Sequence, residues 1–137
     1  MEKEFVPYQQ ALDLKELGFD ESCFGYFRDG KFSGVNKWDR KDFELHTISL
    51  SDITNITNEI ILASLYSQAF RWFREKGMNF CINSDTINMK GEYRDYYFYI
   101  SKGGKQLYSL DHRDGFDTYE EAELKCLKKL IEIVKNK

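Results

Sequence analysis

The chain has 137 residues, of which 42% are hydrophobic and 16% aromatic, with nine Tyr and eleven Phe. That length suits one domain, and the apolar share is enough to close a core. A net charge of −3 and a pI near 5.5 argue against a general polyanion binder, which carries a clear basic excess.

In chain order, Pro7 opens a predicted helix over residues 7–17. Tyr8, Ala11, Leu12, Leu14 and Leu17 give it an apolar side, and Gly18 stops it. Phe19 then stands where a Schellman cap would bring it against Leu14. Cys23–Arg28 and Lys31–Val35 read as a hairpin closed by Asp29-Gly30, a pair that supplies the positive φ angles of a type I′ turn. Residues 36–42, around Trp38, are charged and loop-like. A third strand is predicted over Glu44–Leu50, and a loop rich in Asn, Asp, Ser and Thr over Ser51–Glu59.

Leu62, Leu65, Tyr66, Ala69, Phe70 and Phe73 recur at three- and four-residue spacing, predicting a helix from about Leu65 to Lys76 with Ser64 as its cap and Gly77 as its stop. Met78–Ile82 is a short strand. Tyr93–Ser101 and Lys105–Leu110 flank Lys102-Gly103-Gly104 as a second hairpin. Thr118-Tyr119-Glu120-Glu121 has the form of a capping box. The helix it opens carries the apolar stripe Ala122, Cys126, Leu127, Leu130, Ile131 and Val134.

These elements predict an α+β fold. Antiparallel sheets from two hairpins are packed by two or three helices, and the C-terminal half runs α-β-β-β-α. No linker interrupts the chain, so residues 1–137 read as a single domain in two regions. Residues 1–60 are an acidic helix-and-hairpin region, with seven Lys/Arg against twelve Asp/Glu. Residues 61–137 are the α-β-β-β-α core, with thirteen against eleven.

No nucleophile–base constellation, metal-ligand spacing or phosphate loop appears, so no enzyme activity, catalytic residue, metal site or cofactor is predicted. Cys23, Cys81 and Cys126 are isolated, odd in number and beside apolar residues, and read as buried small hydrophobes. Met1-Glu2-Lys3-Glu4 lacks the start of a secretory signal, and the apolar runs fall short of a membrane span. The expectation is a cytoplasmic protein with no membrane partner.

Two resemblances add to this reading. One is carried by Glu4-Phe5-Val6-Pro7-Tyr8, Leu17-Gly18-Phe19-Asp20, Cys23-Phe24-Gly25-Tyr26, Ser67-Gln68-Ala69-Phe70-Arg71-Trp72-Phe73-Arg74-Glu75-Lys76 and Tyr119-Glu120-Glu121-Ala122-Glu123-Leu124. Together they resemble a group of small uncharacterised proteins of Bacteroidetes bacteria, their phages and their mobile elements. That resemblance implies a mobile-element origin and carries no activity to transfer; residues 36–59 depart most from its pattern. The other is architectural. From Ser64 to Val134 the order of elements looks like a double-stranded RNA-binding domain. Such domains set a basic cluster at the start of the last helix against phosphates. Here Glu120-Glu121-Ala122-Glu123-Leu124-Lys125 stands there and would repel them.

The candidate partner-binding residues are Trp38, Arg71, Trp72, Arg74, Tyr97 and Tyr99. Arg and Trp are frequent interface anchors, and Arg71 and Arg74 share a helix face. The competing reading pairs Arg71 with Glu75 in solvent and puts Trp72 in the core. Period-two alternation turns Tyr96, Phe98 and Ile100 one way and Tyr97 and Tyr99 the other. The latter two either face a partner or are covered by the N-terminal region. His46, His112 and the Asp111, Asp114 and Asp117 group around Gly115 read as surface and turn residues. The resulting expectation is a non-enzymatic interaction module that binds a protein, such as a host defence protein. The second reading is nucleic-acid binding through Arg71, Arg74, Lys102, Lys105 and stacked tyrosines.

Overall fold

The computed structural model describes residues 2–35, 60–84, 96–110 and 114–136. Trp38, His46, Asp111 and His112 lie outside the described residues, as do the strand predicted over 44–50 and the loops predicted over 36–42 and 51–59. The described residues form an α+β fold with three α-helices and two three-stranded antiparallel sheets. They fall into two compact units, Met1–Phe70 and Arg71–Lys137.

In the first unit, α1 (Tyr8–Glu16) begins directly after Pro7, whose φ of −62° and ψ of 159° make it the N-cap rather than the first helical residue. Its end is the expected Schellman cap. Gly18, at φ 94°, donates its N–H to the Lys15 carbonyl at 3.1 Å, and Phe19 donates to the Leu14 carbonyl at 2.9 Å. Leu14 and Phe19 are both buried. β1 (Gly25–Arg28) and β2 (Lys31–Val35) pair through Asp29 and Gly30, at φ 50° and 81°, as a type I′ hairpin requires. A Cβ on Gly25 would stand 2.8 Å from Cε1 of buried Phe5, so the strand needs glycine there.

β3 (Ile60–Ala63) has no counterpart among the predicted elements: Leu62, which the spacing counts with the helix that follows, belongs to a strand, and Ile60-Ile61-Leu62-Ala63 pairs antiparallel with β1, Phe27 facing Ile61 and Gly25 facing Ala63. A short apolar run has no periodicity to separate strand from helix; its partner strand decides. Extended backbone continues past it. Phe5 bridges Leu65, and the Val6 N–H donates to the Ser64 carbonyl at 2.9 Å.

Ser64 is a correction. Its buried Oγ has no hydrogen-bond partner among the described residues. The cap of α2 (Tyr66–Glu75) is Gln68 instead. Its Oε1 accepts from the Leu65 N–H at 3.0 Å, while its Nε2 donates to the Ser22 carbonyl at 2.9 Å. This is the reach-back half of a capping box, and it ties the helix start to the segment before β1. α2 stops at Gly77, φ 84°.

In the second unit, β4 (Met78–Ser84), β5 (Tyr96–Lys102) and β6 (Lys105–Ser109) form a sheet in that order, so β5 is central. Gly103 and Gly104, at φ 57° and 79°, turn the β5–β6 hairpin. After β6 the chain returns to β5. Phe116 and Tyr96 exchange backbone hydrogen bonds of 2.7 and 3.0 Å. α3 (Tyr119–Lys135) follows, with Thr118 Oγ1 accepting from the Glu121 N–H at 3.2 Å. It packs on β4 and β5, burying Ala122, Cys126, Leu127, Leu130 and Ile131 against a face that holds Met78, Phe98 and Ile100. The order α2-β4-β5-β6-α3 is the α-β-β-β-α arrangement expected.

Candidate partner-binding surface

Strand register sorts the side chains of the second sheet onto two faces. Phe80 opposes Ile100, Ile82 opposes Phe98, and Ile100 opposes Tyr108; these share the face toward α3. On the other face Asn79 opposes Ser101, Cys81 opposes Tyr99, Asn83 opposes Tyr97, and Ser109 flanks Tyr99. No Lys, Arg, Asp or Glu occurs among these seven positions. Tyr99 is 40% exposed and Tyr97 half-buried. Cys81 Sγ donates to Asn83 Oδ1 at 3.1 Å. The Cys81 side chain also pushes the Tyr99 phenol above its ordinary value, first by hydrogen bonding and then by charge, with desolvation and Tyr97 adding to the rise. These positions thus carry no acidic or basic side chain of the Lys, Arg, Asp or Glu kind, and two phenols stand on the central strand.

The arginines lie elsewhere. Arg71 is exposed and ion-paired with Glu75 at 3.9 Å, the helical pair expected, worth well under about 1 kcal/mol in solvent. Arg74 stacks over the Phe80 ring at 5.7 Å, on the α3 side of the sheet. As a candidate contact residue Trp72 is corrected. It is only 7% exposed, edge-on to Phe73 at 5.0 Å, with Lys76 Nζ 4.2 Å above its ring. Ala69, Phe70, Trp72 and Phe73 are all buried, so the apolar stripe of α2 is wider than a three-four count implies. Of the six candidates, Tyr97 and Tyr99 are brought together on one face and the arginines are not with them. Lys102 and Lys105 pair at the hairpin tip, next to Gly103 and Gly104.

Sequence reading missed the company of the tyrosines. Asn79, Cys81 and Asn83 alternate along β4, but only the register places them opposite Ser101, Tyr99 and Tyr97. Cys81 is half-buried rather than buried, whereas Cys23 and Cys126 are fully buried. Burial pushes both of those thiols up to about 12, with nearby Glu21 and Glu123 adding to the rise.

The consequence is an alkaline instability. The unfolded thiols ionise near 9 and the folded ones only near 12, so between those values the unfolded chain binds fewer protons and is favoured. The two thiols therefore cost nothing below about pH 9, and stability falls as pH rises from there toward 12. Thermal melting at pH 8 and pH 10.5 should give a smaller alkaline drop for Cys23→Ala/Cys126→Ala than for wild type. An equal drop in both proteins would show that these thiols are not the cause.

Among the described residues, no group of three or more His, Cys, Asp or Glu is placed to hold a metal ion, and no helix is long and apolar enough to cross a membrane. Comparison with protein-family models, curated proteins and solved structures finds no match.

Proposed function

We propose that this chain is a non-enzymatic interaction module that binds a protein through the β4–β5 face bearing Tyr97 and Tyr99. The observation that carries this reading is the composition of that face: two tyrosines among Asn79, Cys81, Asn83, Ser101 and Ser109, with no Lys, Arg, Asp or Glu. Tyr gives large contact area at low entropic cost, and Asn and Ser adapt their hydrogen bonds to a protein surface. The nucleic-acid reading draws less support. It needs cations beside the stacking rings to hold phosphates, and Arg74 stacks on Phe80 on the other side of the sheet. The resemblance of the sequence to proteins of Bacteroidetes bacteria and their phages supports a mobile-element origin, with a bacterial host protein as the partner.

Quantitative pull-down from a Bacteroidetes lysate, comparing wild type with Tyr97→Ala/Tyr99→Ala, tests the proposal. The expected result is a partner recovered about tenfold less by the double variant, as loss of interface anchors implies, and recovered equally by Arg71→Ala/Arg74→Ala. Equal recovery of every partner by wild type and the tyrosine variant would overturn it. A gel shift on single-stranded DNA or RNA that disappears with salt would favour nucleic acid instead.

A further inference from the structure

The opposite side of the same sheet carries a second feature, an open groove of about 480 Å³ beside α3. Ligand pockets run to about 300–1,000 Å³, so the volume suffices for a small molecule. Its floor is aromatic. The Phe98 ring lies 5.6 Å from Tyr108 and 6.2 Å from Phe116, nearly parallel to the latter at 7°. The wall is a row of ammonium groups on α3, from Lys125, Lys128 and Lys129, with Glu132 as the single carboxylate.

Lys125, Lys129 and Glu132 stand at i, i+4 and i+7, on one side of the helix. Lys129 is fixed in place. Its Nζ lies 2.9 Å from Glu132 Oε1 and 4.6 Å from the Tyr108 ring centre, and its side chain is only 26% exposed. Glu132 is thus engaged with Lys129, and the charges of Lys125 and Lys128 have no ion-pair partner among the described residues.

We propose that this groove binds a small anion whose charge is borne on a planar apolar body, such as an aromatic phosphate or carboxylate. The body would lie on the half-buried Tyr108 and Phe116 rings, which both pack on buried Phe98, and the anionic group against Lys125 and Lys128. Apolar contact and charge complementarity come from different walls, so neither part of the ligand alone satisfies the site. A polyanionic strand fits poorly, because Glu120, Glu121 and Glu123 lie on α3 directly before the lysines.

Titration of the isotope-labelled full chain with 2-naphthyl phosphate, followed by amide chemical shifts, tests this. Saturable shifts at Leu110, Lys125, Lys128 and Lys129 are expected, with inorganic phosphate and neutral 2-naphthol each binding at least tenfold more weakly. Lys125→Gln/Lys128→Gln changes only exposed side chains and should weaken 2-naphthyl phosphate about tenfold, since partly screened charge contacts contribute modestly each. Raising the salt should weaken it in the wild type and less in the variant. The proposal is overturned if 2-naphthyl phosphate shows no saturable shifts at millimolar concentration. Shifts on Cys81, Tyr97 and Tyr99 instead, equal binding by the lysine variant, or equal binding of phosphate or 2-naphthol alone would also overturn it.

Discussion

Leu130→Ala is expected to destabilise the protein by about 2–5 kcal/mol, the usual range for emptying a packed core site. Leu130 is fully buried in the middle of the α3 stripe, between Cys126, Leu127 and Ile131, and α3 packs on both β4 and β5. Truncation removes apolar surface from contact and leaves a void that helix and sheet backbones, held by their own hydrogen bonds, cannot collapse to fill. Asp29→Ala provides the contrast. Asp29 is exposed at a turn, so its replacement costs only the strain of an alanine at φ 50°, about 1 kcal/mol. Chemical denaturation of both variants should rank Leu130→Ala well below Asp29→Ala. If Leu130→Ala unfolds with the wild type, α3 is not part of the core described.

Leu14→Ala should cost a similar amount in the first unit, about 2–5 kcal/mol, for two reasons that act together. Leu14 is 1% exposed, and it supplies both a core side chain and the residue whose carbonyl and apolar contact close the Schellman cap with Phe19. A cavity of only about 10 Å³ already lies between Leu14, Ala11, Phe19, Ile60 and Leu62, so the truncated site adjoins space that is incompletely filled. Hydrogen exchange reads the local part of this effect. The Gly18 and Phe19 amides should lose protection in Leu14→Ala beyond the global loss of stability. Unchanged protection there would mean that the cap stands without its apolar contact.

The two proposed surfaces have different chemistry because the sheet has two faces. Every second residue of β5 points the same way. Phe98 and Ile100 are therefore committed to α3 while Tyr97 and Tyr99 are not. The α3 side holds the lysines of the groove, and the seven positions of the tyrosine side include no Lys, Arg, Asp or Glu.

Signals confined to a few neighbouring residues were legible in the sequence alone. The Gly18 stop with Phe19 behind it, the Asp29-Gly30 turn, the Thr118 cap and the Ala122–Ile131 stripe each depend on backbone angles or helical spacing within about one or two turns, and all are found in the structure. So are the two hairpins and the α+β class. Tertiary structure decided what depends on partners far along the chain. Ile60–Ala63 became a strand because β1 lies beside it, although its apolar run fits either period. Gln68 replaced Ser64 as the cap of α2 because it also reaches the Ser22 carbonyl, 46 residues away. Trp72 went into the core because its helix buries a wide arc. The company of Tyr97 and Tyr99 and the lysine wall over Tyr108 were invisible in sequence for the same reason. Strand register and helix docking join residues tens of positions apart, and no local pattern encodes that pairing.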